Sequence, residues 1–364
     1  MSNIENQGQT PAEVWKAFCS RLEAAGEIVA NAEIADSDLD QAEGYRYLTR
    51  LLRIALDMHV ENADTDFPGF YAASHETAKI GADNPDNIYI NASIDGSRSY
   101  KITGNRGSVP VLSFASKANR YAIDGTMAST GELDSEDMTF EDDGSFEITA
   151  SQEKATGNWL PLAEDSSMFL LRQTFLDRST EQPATASIKA IDLPKATPDP
   201  LTITSLSEGL DRALSFVEGT AKTFLRWSDQ FKEEQYNRLA TTQQEMFFRA
   251  GGDPTIYYLH GFWKLANDEH LMIKTSVPEC SFWNFQCDNV WMESLDYRHH
   301  QIHVNKHSAR YDEDGSLTII MGNKDPGYGN WIDTAGHEQG TMLLRWIGAK
   351  EHPLPSTQVL KTNA

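Results

Sequence analysis

One stretch of this chain occurs twice. From Tyr311 to Trp346, an acidic Asp314-Gly315-Ser316 turn feeds an alternating segment, a loop, a Gly-Asn-Trp triplet and a closing Met-Leu-Leu-Arg run ending at Arg345. From Phe140 to Arg172 the same order recurs more weakly. Asp143-Gly144-Ser145, Gly157-Asn158-Trp159 and Met168-Phe169-Leu170-Leu171-Arg172 stand in the corresponding places. Self-similarity on this scale points to a duplicated supersecondary unit. The alternation makes that unit a set of strands joined by turns.

The surrounding chain follows the same rhythm. Thr10 can cap a helix with Pro11 at its first position. Val14, Phe18, Leu22, Ala25 and Val29 then recur at helical steps, and a second helix is expected from about Gln41 to Val60. From Phe67 the period falls towards two, with strands bounded by Gly, Asn, Asp and Pro. The proline-punctuated segment from Ile191 to Thr204 reads as a linker. A helix over Leu206–Trp227 and a partner over Gln230–Arg249 follow, and strands resume at Thr255. The expected fold class is α+β, mainly β: two antiparallel β-sandwich-like modules, each preceded by a helix pair, in domains 1–200 and 201–364. Extending the repeat upstream by eye matches Pro85, Tyr89, Asn91 and Asp95 with Pro278, Phe282, Asn284 and Asp288, and leaves an insertion between Gly96 and Phe140 of the first copy.

Bulk properties narrow the partners. A net charge of −23 on 364 residues argues against nucleic acid and anionic membranes. No apolar run approaches the ~18 residues of a membrane span. The polar opening segment, expected to be frayed, shows no signal-peptide pattern. The three cysteines, Cys19, Cys280 and Cys287, fit neither a disulfide nor a zinc framework. The expected location is cytoplasmic, and a homo-oligomer stays open. There is no P-loop, GxGxxG, GxSxG or HExxH motif, so no cofactor is expected.

The segments DPGYGNWIDTAGHEQGTMLLRW, NVWMESLDYRHH and WKLANDEHLMIKTSVPECSFWNFQ resemble the bacterial domain-of-unknown-function family 1214, over roughly Thr255 to Pro355. Asn84, Pro85, Asp86, Asn87 and Tyr89 are similar in arrangement to a segment of the companion family 1254, without its Thr. The resemblance implies β-rich sandwich domains and a bacterial source. It implies no reaction.

Several residues are candidates for chemistry. The loop from Asp325 to Asp333 presents Tyr328, Asn330 and Trp331 as ligand-binding groups, or else ties down its own backbone. Asn330 and Trp331 recur as Asn158 and Trp159, which favours structure for that pair. Asp333 and His337 do not recur and are the stronger catalytic candidates. Asp86 and Tyr89 form a second acid/base pair, or a turn. Trp283, Trp291 and Tyr258 belong to a dense aromatic set that lines either a pocket or the core. His299, His303 and His307 lie four apart. In a strand they are ~13 Å apart along the chain and cannot share an ion with bonds of ~2 Å, so no metal site is expected. The functional expectation is a protein that binds, and transforms by cofactor-free acid/base chemistry, a small apolar or aromatic compound. The alternative is a non-catalytic carbohydrate- or ligand-binding sandwich.

Overall fold

The computed structural model describes residues 10–191, 193, 195–240 and 244–361. The expectation of a frayed, signal-free opening therefore falls on residues outside the described ones, up to Gln9. Helix α1 (Pro11–Ala25) starts with a capping box: the Thr10 hydroxyl accepts from the Glu13 amide and the Glu13 carboxylate accepts from the Thr10 amide. A single turn, α2 (Glu27–Ala30), leads to α3 (Asp38–Leu56), whose last turn loosens into a π-helical segment over Asp57–Glu61.

The first module holds strands β1 (Asn87–Ser93), β2 (Tyr100–Asn105), β3 (Val111–Arg120), β4 (Thr126–Asp134), β5 (Ser145–Ser151), β6 (Asn158–Pro161), β7 (Met168–Thr174) and β8 (Thr185–Ala190). Helices α4 (Ile203–Glu234) and α5 (Gln244–Arg249) come next. The second module holds β9 (Ile256–Lys264), β10 (Glu269–Thr275), β11 (Phe282–Cys287), β12 (His303–Asn305), β13 (Leu317–Gly322), β14 (Asn330–Asp333), β15 (Gln339–Ile347) and β16 (Ser356–Lys361).

Each module is two four-stranded sheets. In the first, β1-β7-β3-β4 forms the inner sheet and β6-β5-β2-β8 the outer. In the second, the inner order is β9-β15-β11-β12 and the outer β14-β13-β10-β16. Every strand thus has its counterpart eight strands later, and the duplication extends to topology. Pairing is antiparallel except at one edge of each outer sheet. There β5 runs parallel to β6, and β13 to β14.

This topology corrects the upstream repeat alignment. β1, with Tyr89 and Asn91, corresponds to β9 and not to β11. The match of Pro85 with Pro278 was out of step, and the supposed insertion after Gly96 came from that slip. The true counterpart of Asn84-Pro85-Asp86-Asn87-Ile88-Tyr89 is Asp253-Pro254-Thr255-Ile256-Tyr257-Tyr258. Local bonding repeats with it. The Asn84 amide donates to the Tyr89 hydroxyl at 3.1 Å, and the Asp253 amide to that of Tyr258 at 2.8 Å. The Asp86 amide donates to Asn84 Oδ1, and the Thr255 amide to Asp253 Oδ1.

The helices also differ from expectation. α4 runs unbroken for 32 residues, because Phe224, Ser228 and Phe231 continue its buried stripe past Trp227 with no breaker between. Of the expected Gln230–Arg249 helix, residues 230–234 are the end of α4, α5 forms a separate short helix, and residues 241–243 lie outside the described ones.

Packing explains the near-continuous apolar run of the closing strands. On β7, Phe169 and Leu171 enter the sandwich core, while Met168 and Leu170 join a larger core under the helices. On β15, Met342, Leu344 and Trp346 point into the second sandwich, and Leu343 and Ile347 towards the helices. Both strands are buried on both faces. The shared core includes Tyr47, Leu51 and Ile54 of α3 and Phe216, Val217 and Phe224 of α4, so the helices and both inner sheets form one packed body. Trp291 wedges into it, its indole Nε1 donating to the Asp40 carbonyl at 2.8 Å. A Cβ on Gly44 would collide with that indole ring and with Val29. Gly44→Ala is therefore expected to destabilise the fold by about 1–3 kcal/mol, despite the better helix propensity of alanine. Denaturant unfolding measures it; an unchanged or raised midpoint would show that Trp291 does not hold α3.

Candidate functional site

A cavity of about 170 Å³ lies where the two inner sheets meet the helices. The same alternation that buries Leu170 and Leu343 turns Tyr89, Arg172, Tyr258, His260 and Arg345 to this side of the sheets, and all five line the cavity. Met58, Phe216 and Phe224 close it from the helices. The walls are mainly apolar, with a few polar groups, as in small-molecule sites generally.

The two arginines are counterparts. Arg172 sits opposite Tyr89 in the ladder, and Arg345 opposite Tyr258. Each reaches into the other module. Arg172 Nη2 donates to the Gly251 carbonyl at 2.5 Å and Nη1 to Asp253 Oδ2 at 3.1 Å. Arg345 Nη2 donates to the Ala82 carbonyl at 2.6 Å, and Nη1 to Gln286 Oε1 at 2.5 Å and Asn284 Oδ1 at 3.3 Å. The receiving loops need special backbone: Gly81, Ala82 and Gly251 all have positive φ. Burial raises the Asp253 carboxyl, but the Arg172 charge and the Thr255 hydrogen bonds outweigh it and the net shift is down. His260 is fully buried against Phe247, Phe231 and Tyr258, with ring centroids 4.4, 5.0 and 6.3 Å away. Burial, helped by the Arg345 charge, holds its pKa well below the usual histidine range, so the ring is neutral. Its Nδ1 has no hydrogen-bond partner among the described residues.

The other sequence candidates lie elsewhere. Asp86 is buried between the modules, accepting from Asn284 Nδ2 at 2.8 Å and Asn305 Nδ2 at 2.9 Å, with His303 Nε2 at 3.3 Å. Asn330 binds the Arg310 and Thr318 carbonyls, as Asn158 binds those of Thr139 and Glu147. Trp331 Nε1 donates to Gly322, and Trp159 Nε1 to Ser151. Both pairs pin the parallel edge strand of their outer sheet. Trp283 and Trp291 are fully buried core residues, and Tyr328 is exposed. Asp333 holds His300 Nδ1 at 2.7 Å. His299, His303 and His307 diverge: His299 is exposed, while His303 stands beside Asp86 and His307 beside Asp177. Among the described residues no group of three His, Cys, Asp or Glu side chains could hold a metal ion. No helix among them is long and apolar enough to cross a membrane.

His337 lines a separate polar cleft of about 160 Å³ with Glu43, Arg46, Arg50, Lys79 and Asn289. Its Nε2 meets Glu43 Oε2 at 2.7 Å, tying the second module to α3. The neighbouring charges are paired in turn, Arg50 with Glu293 and Arg46 with Glu43. Sequence reasoning missed Arg172, Arg345 and His260. The available signal was the Pro-x-x-x-Tyr spacing of Pro85–Tyr89 and Pro254–Tyr258, together with the arginine that follows the Leu-Leu pair in each repeated strand.

The family model described as protein of unknown function DUF1214 matches twice, over residues 90–176 and 264–351. The chain belongs to this family. The DUF1214 matches run from β1 to just past β7 and from the end of β9 to just past β15, so the family unit coincides with the duplicated one. The companion family 1254 is not shown; the first DUF1214 match begins at residue 90, directly after Tyr89. A crystal structure of an uncharacterised protein from Burkholderia cenocepacia is similar at 49% identity over 96% of this chain and 97% of that one, with a TM-score of 0.93. The VPA0106 protein from Vibrio parahaemolyticus is similar at 11% identity over 87% of this chain and 98% of that one, with a TM-score of 0.48. No curated protein matches the chain.

The Glu43–His337 contact makes stability depend on pH. Burial lowers the His337 pKa, but the hydrogen bond and charge of Glu43 outweigh it, and the net shift is upward from 6.5. Burial raises Glu43, and His337 outweighs that, for a net shift downward from 4.5. The histidine contribution is complete below pH 6.5 and is lost as pH rises through the raised value. The glutamate contribution is complete above pH 4.5 and is lost as pH falls through the lowered one. The pair therefore contributes most between these limits, on the order of 1.5–3 kcal/mol for a charged hydrogen bond. The melting-temperature difference between wild type and His337→Gln should peak near pH 5–6 and shrink by pH 9. A difference that is flat across this range would count against the ion pair.

Proposed function

We propose that this protein binds a small, compact, largely apolar organic molecule in the cavity between its two modules. The observation that carries this reading is a partly open space bounded by both inner sheets and the helices, apolar over most of its wall, with two arginines, three tyrosines and a histidine converging on it. Its volume is close to that of engineered cavities, of about 150 Å³, that hold a benzene ring. Access is by way of a groove of about 590 Å³ that shares Met58, Met168 and Phe216 with the cavity. Two of these three are methionines, whose unbranched side chains rearrange easily. Met58 lies in the π-helical turn, a feature that often marks functional sites. The carbohydrate alternative has less support: Trp15 is the one exposed tryptophan, and no row of them faces solvent.

Turnover is a second reading, with His260 as the group that would meet the substrate. Its imidazole is neutral, stands beside Tyr258 and has no partner for Nδ1 among the described residues; so low a pKa makes it a weak base, suited to hydrogen-bond a substrate more than to take its proton. Asp86, Asp333 and His337 are committed to other bonds and serve this reading less well. The cytoplasm is the proposed location, since Cys280 and Cys287 are buried free thiols and Cys19 is an exposed one. The join near residue 200 is proposed as the seam of the duplication.

The test is thermal unfolding of the full chain with a panel of single-ring aromatic compounds. Binding at 100 times Kd stabilises the native state by about 2.7 kcal/mol. At least one compound should raise the melting temperature of wild type, and Leu170→Trp, which fills the cavity, should abolish that rise. Met168→Trp should slow association in stopped-flow measurements. Compounds without effect, or an effect that survives Leu170→Trp, would refute a ligand in this cavity.

A further inference from the structure

We infer that the molecule bound in the cavity carries a carboxylate, held against Arg345. This inference rests on the ligand reading above and specifies its chemistry. The argument comes from a break in the pseudo-symmetry. On one side of the cavity, the loop before β9 supplies Asp253 as the counter-ion of Arg172. On the other side, the loop before β1 should supply the counter-ion of Arg345. The residue there is Asn84, the counterpart of Asp253 by its place before proline and by both of its backbone hydrogen-bond patterns. An amide stands where the duplication calls for a carboxylate.

Arg345 is consequently a buried guanidinium, 4% exposed, bonded only to neutral oxygens: the Ala82 carbonyl and the side chains of Asn284 and Gln286. Among the described residues it has no carboxylate within ion-pair distance. The nearby acids are engaged by other groups. Asp83 accepts from the Ser294 amide and hydroxyl, with Lys79 close by. Asp86 is separated from Arg345 by Asn284, which bonds to both, and is held also by Asn305 and His303. Asp288 is the exception: it stands behind Gln286, its Oδ2 has no partner among the described residues, and burial pushes it up to about 7 against the more distant pull of the Arg345 charge, leaving it partly protonated at neutral pH. A buried charge without a counter-ion is costly, and a ligand that brings one recovers that cost on binding.

Other groups at the wall agree with an anionic oxygen. The Tyr258 hydroxyl accepts from the Asp253 amide, and its own proton has no acceptor among the described residues, so it is free to donate. A planar carboxylate matches the fork of a guanidinium. The apolar remainder of the wall, with Leu170, Phe216, Phe224 and Leu343, suits a ring or branched chain and not a second charge. A cationic ligand would meet the Arg345 guanidinium and that of Arg172, paired with Asp253; the carboxylate in the wall, Asp83, is turned to the Ser294 amide and hydroxyl.

The test is isothermal titration of the full chain with benzoate, benzamide, benzylamine and inorganic phosphate at pH 7.5. Benzoate should bind at least tenfold more tightly than benzamide, and benzylamine and phosphate more weakly than either. Asn84→Asp installs the missing counter-ion, beside an Asp86 carboxylate that shares the Asn284 amide donor with residue 84, so its melting temperature is measured alongside to show that the variant is folded. In that variant the benzoate-to-benzamide affinity ratio should drop to near one. Arg345→Gln should do the same if it folds, but Asn84→Asp decides the matter without it. Equal affinities for benzoate and benzamide in wild type, or a ratio unchanged by Asn84→Asp, would overturn the carboxylate while leaving the cavity as a ligand site. Binding of none of these compounds would overturn the cavity reading and the carboxylate together.

Discussion

Two guanidinium groups cross between the halves of this molecule, and the rest of the structure is arranged around that exchange. Arg172 lies near the end of the closing strand of the first module and grips the loop that opens the second. Arg345 lies near the end of the closing strand of the second and grips the loop that opens the first. Each bond is made to a backbone carbonyl in a loop with left-handed residues, where the chain must turn sharply before its strand begins. A hydrogen bond from a buried charged group of this kind typically contributes about 1.5–3 kcal/mol. The crossing therefore sets the position of the two inner sheets, and with it the space between them.

That space is a consequence of duplication. In each module the sandwich core is filled by one face of the inner sheet, with Phe169 and Leu171 in the first and Leu344 and Trp346 in the second. The opposite face must be covered by something else. Helices α3 and α4 cover most of it, and Trp291 fills the gap beside Gly44. Where the inner sheets and helices converge, packing leaves the cavity. Its polar groups come in counterpart pairs, Tyr89 with Tyr258 and Arg172 with Arg345. Function in a duplicated protein can arise where the copies stop being equivalent. Here the difference is one side-chain atom, an amide nitrogen at Asn84 in place of a carboxylate oxygen at Asp253.

How much of this could be read from the chain depended on whether the cause was local. The period-two segments, the Asp-Gly-Ser turns and the Thr10 cap are set by neighbours in sequence, and they read correctly. The downstream repeat was visible because Asn158 and Asn330 hold equivalent edge strands by the same bonds, which constrains the letters. Upstream, the copies keep a backbone path with few shared side chains, and only Pro and Tyr at fixed spacing survive. The spacing pairs Pro278 with Pro85, but the structural partner is Pro254. The candidate site was harder still. Arg172 and Arg345 looked like ends of strands, since their partners lie in the other module. His337 looked like a free base, since Glu43 lies far away in sequence. A bond between distant segments leaves no trace in local spacing.

The central claim is that the exchange of arginines bounds a ligand site and leaves Arg345 as its charged anchor. Crystals of the protein soaked with 4-bromobenzoate, measured at the bromine absorption edge, test it directly. The account requires one strong anomalous peak inside the cavity, among the apolar side chains, with the carboxylate density running to the Arg345 guanidinium. A peak only on the surface, or bromine in the cavity with its carboxylate turned away from Arg345, would contradict it.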